Sequence, residues 1–118
     1  MLKAEAPEKK IIISQKITHA RSLSERLFGL MFKHNNMEID GMLIEPCNSI
    51  HTFFMNFPLD VLFIDKKDTV VKVIRNMTPW KMSWLYLKSK KVLEVKAGLL
   101  PKEIMAGDRV KITRSDHV

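Results

Sequence analysis

Cys47, His51 and Asp60 stand inside one apolar stretch, GMLIEPCNSIHTFFMNFPLDVLFID, which runs from Gly41 to Asp65. Polar groups buried in such a run need partners, so each is a candidate for chemistry. A thiol beside an imidazole can act as a nucleophile with its base, or both can ligate a soft metal. In a strand, however, residues four apart lie roughly 13 Å apart along the chain. Cys47 and His51 therefore meet only if residues 47–50 turn, and Pro46, Asn48 and Ser49 supply turn chemistry there. Two ligands do not complete a structural zinc site, and no Cys-x-x-Cys or His-x-x-x-His pattern supplies more. The expectation is no metal and no cofactor. The bland alternative is a small buried thiol and a histidine bonded to the backbone.

Asp60, between Leu59 and Val61, is the most unusual position. An ionised carboxylate there needs amides, a cation or a hydroxyl to compensate it. The structural reading has it capping backbone amides in a loop, or bonding His51 or Arg26. The functional reading makes it a general base or ligand-orienting group at a pocket mouth.

A second constellation follows in the chain. Trp80, Trp84 and Tyr86 are interleaved with Lys81, Lys88, Lys90 and Lys91. Aromatics among bases can stack nucleobases while lysine binds phosphate, so Trp80, Lys81, Trp84 and Lys88 form a candidate nucleic-acid surface. The favoured alternative is that the aromatics cover one end of a β domain. The scattered methionines, Met31, Met37, Met42, Met55 and Met82 among them, read as flexible core filling.

These groups must be held by a chain of 118 residues, the length of one domain. Net charge is +7, from 20 Lys and Arg against 13 Asp and Glu, which attracts polyanions without selecting one. The basic residues are scattered, so nucleic acid is an available partner and not the favoured one. A single Cys excludes an internal disulfide. No apolar run approaches the ~18 residues of a membrane span. MLKAEAPEKK lacks the apolar stretch of a signal peptide, so a cytoplasmic location is expected, with export the alternative if a signal has been removed.

Residues 1–10 read as a flexible tail and 11–118 as one β domain. Ile11 to Thr18 is β-rich. Ser22-Leu23-Ser24-Glu25 fits a capping box ahead of a short helix carrying Leu27, Leu30 and Met31. Met42–Ile44 is a short strand, Thr52–Met55 is β-prone, and Leu59–Ile64 suits a central strand. Leu59–Ile64 and Val70–Ile74 form the clearest hairpin, joined by Asp65–Asp68. Met77–Trp84 reads as a loop over apolar surface. Lys91–Ala97 alternates, Leu93 and Val95 against Glu94 and Lys96. Leu99–Met105 can form one helical turn, and Arg109–Thr113 is the last strand. Short strands with short connections predict a mainly β fold, a small antiparallel barrel or sandwich with one or two short helices.

The order of Gly29-Leu30-Met31-Phe32-Lys33, Gly41-Met42-Leu43, Phe54-Met55 and Pro58-Leu59-Asp60-Val61-Leu62-Phe63-Ile64-Asp65 resembles a known family. So do Val92-Leu93-Glu94-Val95, Ala97-Gly98 and Gly107-Asp108-Arg109-Val110. The set is similar to the domain of unknown function 192 family of bacteria and archaea, over roughly residues 17–113. The resemblance implies a compact, mainly β domain of barrel or sandwich type and places Asp60 in the family's Pro-x-Asp element. It implies no activity. The reading that follows is a noncatalytic binding or accessory domain, for an unidentified ligand or protein, with a small polar pocket near residues 47–60. The enzyme alternative is a small hydrolase using His51 and Asp60, with Cys47 as a further candidate.

Overall fold

A computed structural model describes residues 1–20, 39–53, 55 and 57–114. Seven strands are seen: β1 (Leu2–Ala6), β2 (Ile11–Ala20), β3 (Gly41–Ile44), β4 (Leu59–Asp65), β5 (Val70–Met77), β6 (Ser89–Lys96) and β7 (Lys111–Arg114). They form one sheet in the order β5-β4-β6-β3-β2-β1-β7. The sheet curls into a half-barrel, and its two ends approach each other where Thr69 bridges Arg109. Val70 N–H donates to Asp108 O and Val110 N–H donates to Asp68 O, each at 2.8 Å.

The mainly β expectation holds, with two corrections. First, β2 and β3 run parallel, so the sheet is mixed and not antiparallel throughout. A parallel pair cannot be joined by a tight turn and needs a crossover; the connection over residues 21–40 is long enough to be one. The helix expected after Ser22 falls in that connection, outside the described residues. Second, Leu99–Met105 forms turns and no helical turn. Carbonyls that a helix would use are taken by the Arg75 guanidinium, which donates to Leu100 O, Pro101 O and Ile104 O at 3.1, 3.0 and 2.9 Å.

Residues 1–10 are also not a tail. β1 pairs antiparallel with both β2 and β7, and a single 3-10 turn (Pro7–Lys9) leads into β2. Ala4 and Ala6 are fully buried. Alanine is a weak β signal, so the alternation in LKAEA is visible only once its neighbours are known.

The core has two faces. Leu62 and Ile64 of β4 join Leu93 and Val95 of β6, Leu43, Ile13, Ile17 and Val110 on one side. Leu59, Val61 and Phe63 of β4 join Val92, Ile50, Met55 and Met77 on the other. Alternate residues of a strand point to opposite faces, so the central strands are buried on both. This is why Glu94, on the face opposite Leu93, is buried as well. The β4–β5 hairpin is present with the expected connection.

Candidate functional site

Asp60 sits where the β4–β5 ladder is irregular. Leu59 pairs with Met77 and Val61 with Ile74, so Arg75 and Asn76 together oppose Asp60. This is a β-bulge, which leaves a backbone group off the ladder. Asn76 has φ 53°, and its N–H donates to Asp60 Oδ1 at 2.8 Å. The other oxygen, Oδ2, accepts from Gly98 N–H at 3.0 Å and Leu100 N–H at 3.4 Å. Gly98 has φ +94°, a region that favours glycine and turns the chain back toward the carboxylate. Asp60 thus takes the amides of the loop after β6 while Arg75, itself a residue of the bulge, takes its carbonyls. Of the two readings of Asp60, this is the arrangement of a carboxylate capping amides. Arg75 carries no sequence motif, and its role depends on contacts 25 to 29 residues away.

Cys47 and His51 lie elsewhere. Asp60 shares its strand face with Leu62 and Ile64, whereas Cys47 packs beside the opposite-face groups around Val61 and Phe63 and around Met42 and Ile44. The half-buried Cys47 thiol donates to Ser49 O at 3.1 Å. His51 Nδ1 accepts from Phe53 N–H at 3.3 Å, and its ring stacks on Phe53 at 4.6 Å between centroids. Cys47 and His51 belong to one segment; the sheet separates the Cys47 side chain from the Asp60 carboxylate. Among the described residues, no three His, Cys, Asp or Glu side chains gather in a form that could hold a metal ion. His19 Nε2 lies 3.3 Å from Glu45 Oε1, and His34 is outside the described residues.

The segment after β5 is built differently from the expected cover. Its backbone is zipped onto residues 48–52. Thr52 N–H donates to Lys81 O, Trp80 N–H to Thr52 O, Ser83 N–H to Ile50 O and Tyr86 N–H to Asn48 O, all within 2.9 to 3.0 Å. Buried Thr52 adds side-chain bonds: its Oγ1 donates to Thr78 O at 2.6 Å and accepts from Lys81 N–H at 2.9 Å. Ser83 Oγ accepts from Ile50 N–H at 2.9 Å. Neither Thr52 nor Ser83 stood out in the sequence, because a hydroxyl in a β-prone run is ordinary.

Of the three aromatics, only Tyr86 acts mainly as cover, half-buried against Phe63 with centroids 4.6 Å apart. Trp80 stacks on Phe53 at 5.7 Å yet is 61% exposed, and Trp84 is 82% exposed. Met82, Leu85 and Leu87 are each more than half exposed as well. Leu87 continues into an open depression of about 440 Å³ lined by Asp65, Lys66, Lys67, Lys88 and Lys90. The Asp65 carboxylate is turned into its own loop, where Oδ1 accepts from Lys67 N–H at 2.8 Å and Thr69 N–H at 3.0 Å. Lys91 is engaged with Asp68 at 2.6 Å.

Asp108 has a displaced titration. Burial opposes its ionisation, but the Lys9 ammonium at 2.9 Å and the Met105 amide at 2.8 Å outweigh that and hold its carboxyl below the ordinary value. It ties the 3-10 turn after β1 to the turn before β7.

Comparison with known structures identifies the fold. A protein of unknown function from Novosphingobium aromaticivorans DSM 12444 superposes with a TM-score of 0.71 at 22% identity, over 93% of this chain and 82% of that one. A protein from Sinorhizobium meliloti 1021 bearing the name "putative transcription regulator" gives the same TM-score and identity, over 93% and 90%. At that identity the likeness establishes architecture alone. Comparison with curated proteins gave no match. The profile of the domain of unknown function 192 family, described as "Uncharacterized ACR, COG1430", matches residues 4–112, and the chain belongs to that family.

Proposed function

We propose that this domain is a noncatalytic binding module that engages an anionic partner through the surface formed by residues 80–90. The observation that carries the reading is the display of Trp80, Met82, Trp84, Leu85 and Leu87 on a backbone already paired with residues 48–52. Monomeric proteins seldom leave so many large apolar side chains of one short segment in water without a use for them. Their pre-ordered backbone reduces the entropy lost on binding. The lysines around the adjoining depression give the surface its sign. The separation of Asp60 from Cys47, and the commitment of both its oxygens to backbone amides, favours binding over acid–base catalysis.

Trp80 and Trp84 are the only tryptophans in the chain, so intrinsic fluorescence reports on this surface directly. The test is a fluorescence titration with three anionic probes: oligo(dT), vesicles containing phosphatidylglycerol, and polyglutamate. At least one is expected to shift tryptophan emission, and the effect should weaken as salt rises. If none of the three does so at low ionic strength, the reading is wrong.

A further inference from the structure

We infer that the 80–90 surface docks onto a membrane face bearing anionic lipid headgroups; this rests on the anionic-partner reading above and names the partner. The balance of side-chain types argues for lipid. Met82, Leu85 and Leu87 are saturated side chains, all more than half exposed. A nucleobase stacks on a π-face, so these three contribute little to a nucleic-acid interface. They gain when transferred to the boundary between headgroups and acyl chains. Tryptophan, apolar with a polar N–H, is the side chain enriched at that level.

Backbone satisfaction points the same way. A segment entering a membrane boundary must bring its peptide groups already paired. Here the N–H groups of Trp80, Ser83 and Tyr86 donate to Thr52, Ile50 and Asn48, and the Lys81 carbonyl accepts from Thr52. The side chains can be buried without stripping these groups of partners.

The charges lie beside the apolar group. Leu87 borders the depression that Lys66, Lys67, Lys88 and Lys90 line, so apolar and cationic surfaces are continuous. Each lysine held near an anionic bilayer raises partitioning by about fivefold. Among the described residues the one carboxylate in the lining, Asp65, is occupied by two amides of its own turn. A second copy of this chain is a poorer occupant, because symmetric pairing would set lysines against lysines.

The test is flotation with vesicles of phosphatidylcholine alone and of phosphatidylcholine mixed with phosphatidylglycerol, read together with tryptophan emission and its quenching by acrylamide. The native protein should float with the mixed vesicles, shift its emission to the blue and become protected from acrylamide. It should bind phosphatidylcholine alone at least about tenfold more weakly. The double variant Leu85→Ser/Leu87→Ser removes exposed side chains and should leave the fold intact. It should lose about tenfold or more in partitioning, and Lys88→Glu/Lys90→Glu should lose both the binding and its salt dependence. Flotation by the double leucine variant equal to the native protein's would overturn the inference. So would a response to oligo(dT) or polyglutamate with none to vesicles, although the anionic-partner reading would then survive. Silence toward all three probes would remove both. A native dimer that Leu85→Ser/Leu87→Ser dissociates would make a second copy the occupant and also overturn it.

Discussion

Asp60 is legible in the sequence as an anomaly and illegible as a role. A carboxylate between Leu59 and Val61 announces that something compensates it. What compensates it lies 16, 38 and 40 residues further on, at Asn76, Gly98 and Leu100, and no local pattern encodes those distances. The bulge explains why an acid is needed at all: an amide thrown off the β5 ladder must find an acceptor. Asp60→Ala should therefore destabilise the domain by about 1–3 kcal/mol, because three amides lose their acceptor together. Asp60→Asn is the sharper test. It keeps the shape but replaces one acceptor oxygen with an NH2 that faces an N–H donor. It should still cost about 1 kcal/mol or more. A general base would show the opposite pattern, with the asparagine variant as stable as the native protein or more so. Urea denaturation midpoints of the two variants separate these cases, and an Asp60→Asn midpoint equal to the native one would refute the capping role. For Cys47 and His51 the sequence shows only that they are near each other along the chain. Which face each side chain takes depends on how the 47–57 segment lies over the sheet, and that is a tertiary matter.

At the scale of elements, local pairing is readable and distant pairing is not. The β4–β5 hairpin joins two β-prone runs through four residues, so composition and spacing suffice to find it. The parallel β2–β3 pair joins segments separated by a long connection, and alternation says nothing about strand direction. The 78–88 segment shows a different limit. Its apolar content suggested cover, yet the pairing with residues 48–52 leaves Trp84, Leu85 and Leu87 on the outside. Hydrophobicity identifies side chains that can be buried; it does not say whether the domain itself buries them. Gly41 offers an element-level prediction. Asp40-Gly41 reads as turn chemistry, but Gly41 is the first residue of β3 and opposes Val95 of β6. A Cβ there would meet the Glu94 carbonyl oxygen and come within 2.8 Å of Val95 Cγ1. Two of the strands buried on both faces would be forced apart, and overpacking of this kind costs about 1–3 kcal/mol. Gly41→Ala should lower the thermal midpoint by several degrees, about what such a loss produces in a domain of this length. A midpoint within a degree of the native value would show that β3 and β6 have slack that their close approach denies.

For the whole molecule, the decisive fact is that the chain's first strand holds its last. β7 takes its place in the sheet through β1, with Leu2 to Glu5 paired against Arg114 to Lys111. Outside the ladder, Lys9 reaches Asp108 at 2.9 Å and Arg109 reaches Glu8 at 3.3 Å. Ion pairs at the surface contribute little alone; the ladder and the buried Ala4 and Ala6 carry the stability. Deleting residues 2–6 would strip β7 of its sheet neighbour, uncover the edge of β2 and open one side of the core around Ile13, Ile17 and Val110. The deletion should destabilise the domain by at least about 2 kcal/mol, in the range of a sizeable core loss. It should act at both ends of the chain: amide hydrogen exchange at residues 111–114 should rise toward the rate of an unstructured peptide, while the β4–β6 pair in the interior of the strand order keeps most of its protection. Were residues 1–10 the tail their composition suggests, the deletion would leave exchange at 111–114 and the denaturation midpoint unchanged. The difference between these outcomes turns on five residues of weak β propensity, whose position is set by the two strands that enclose them.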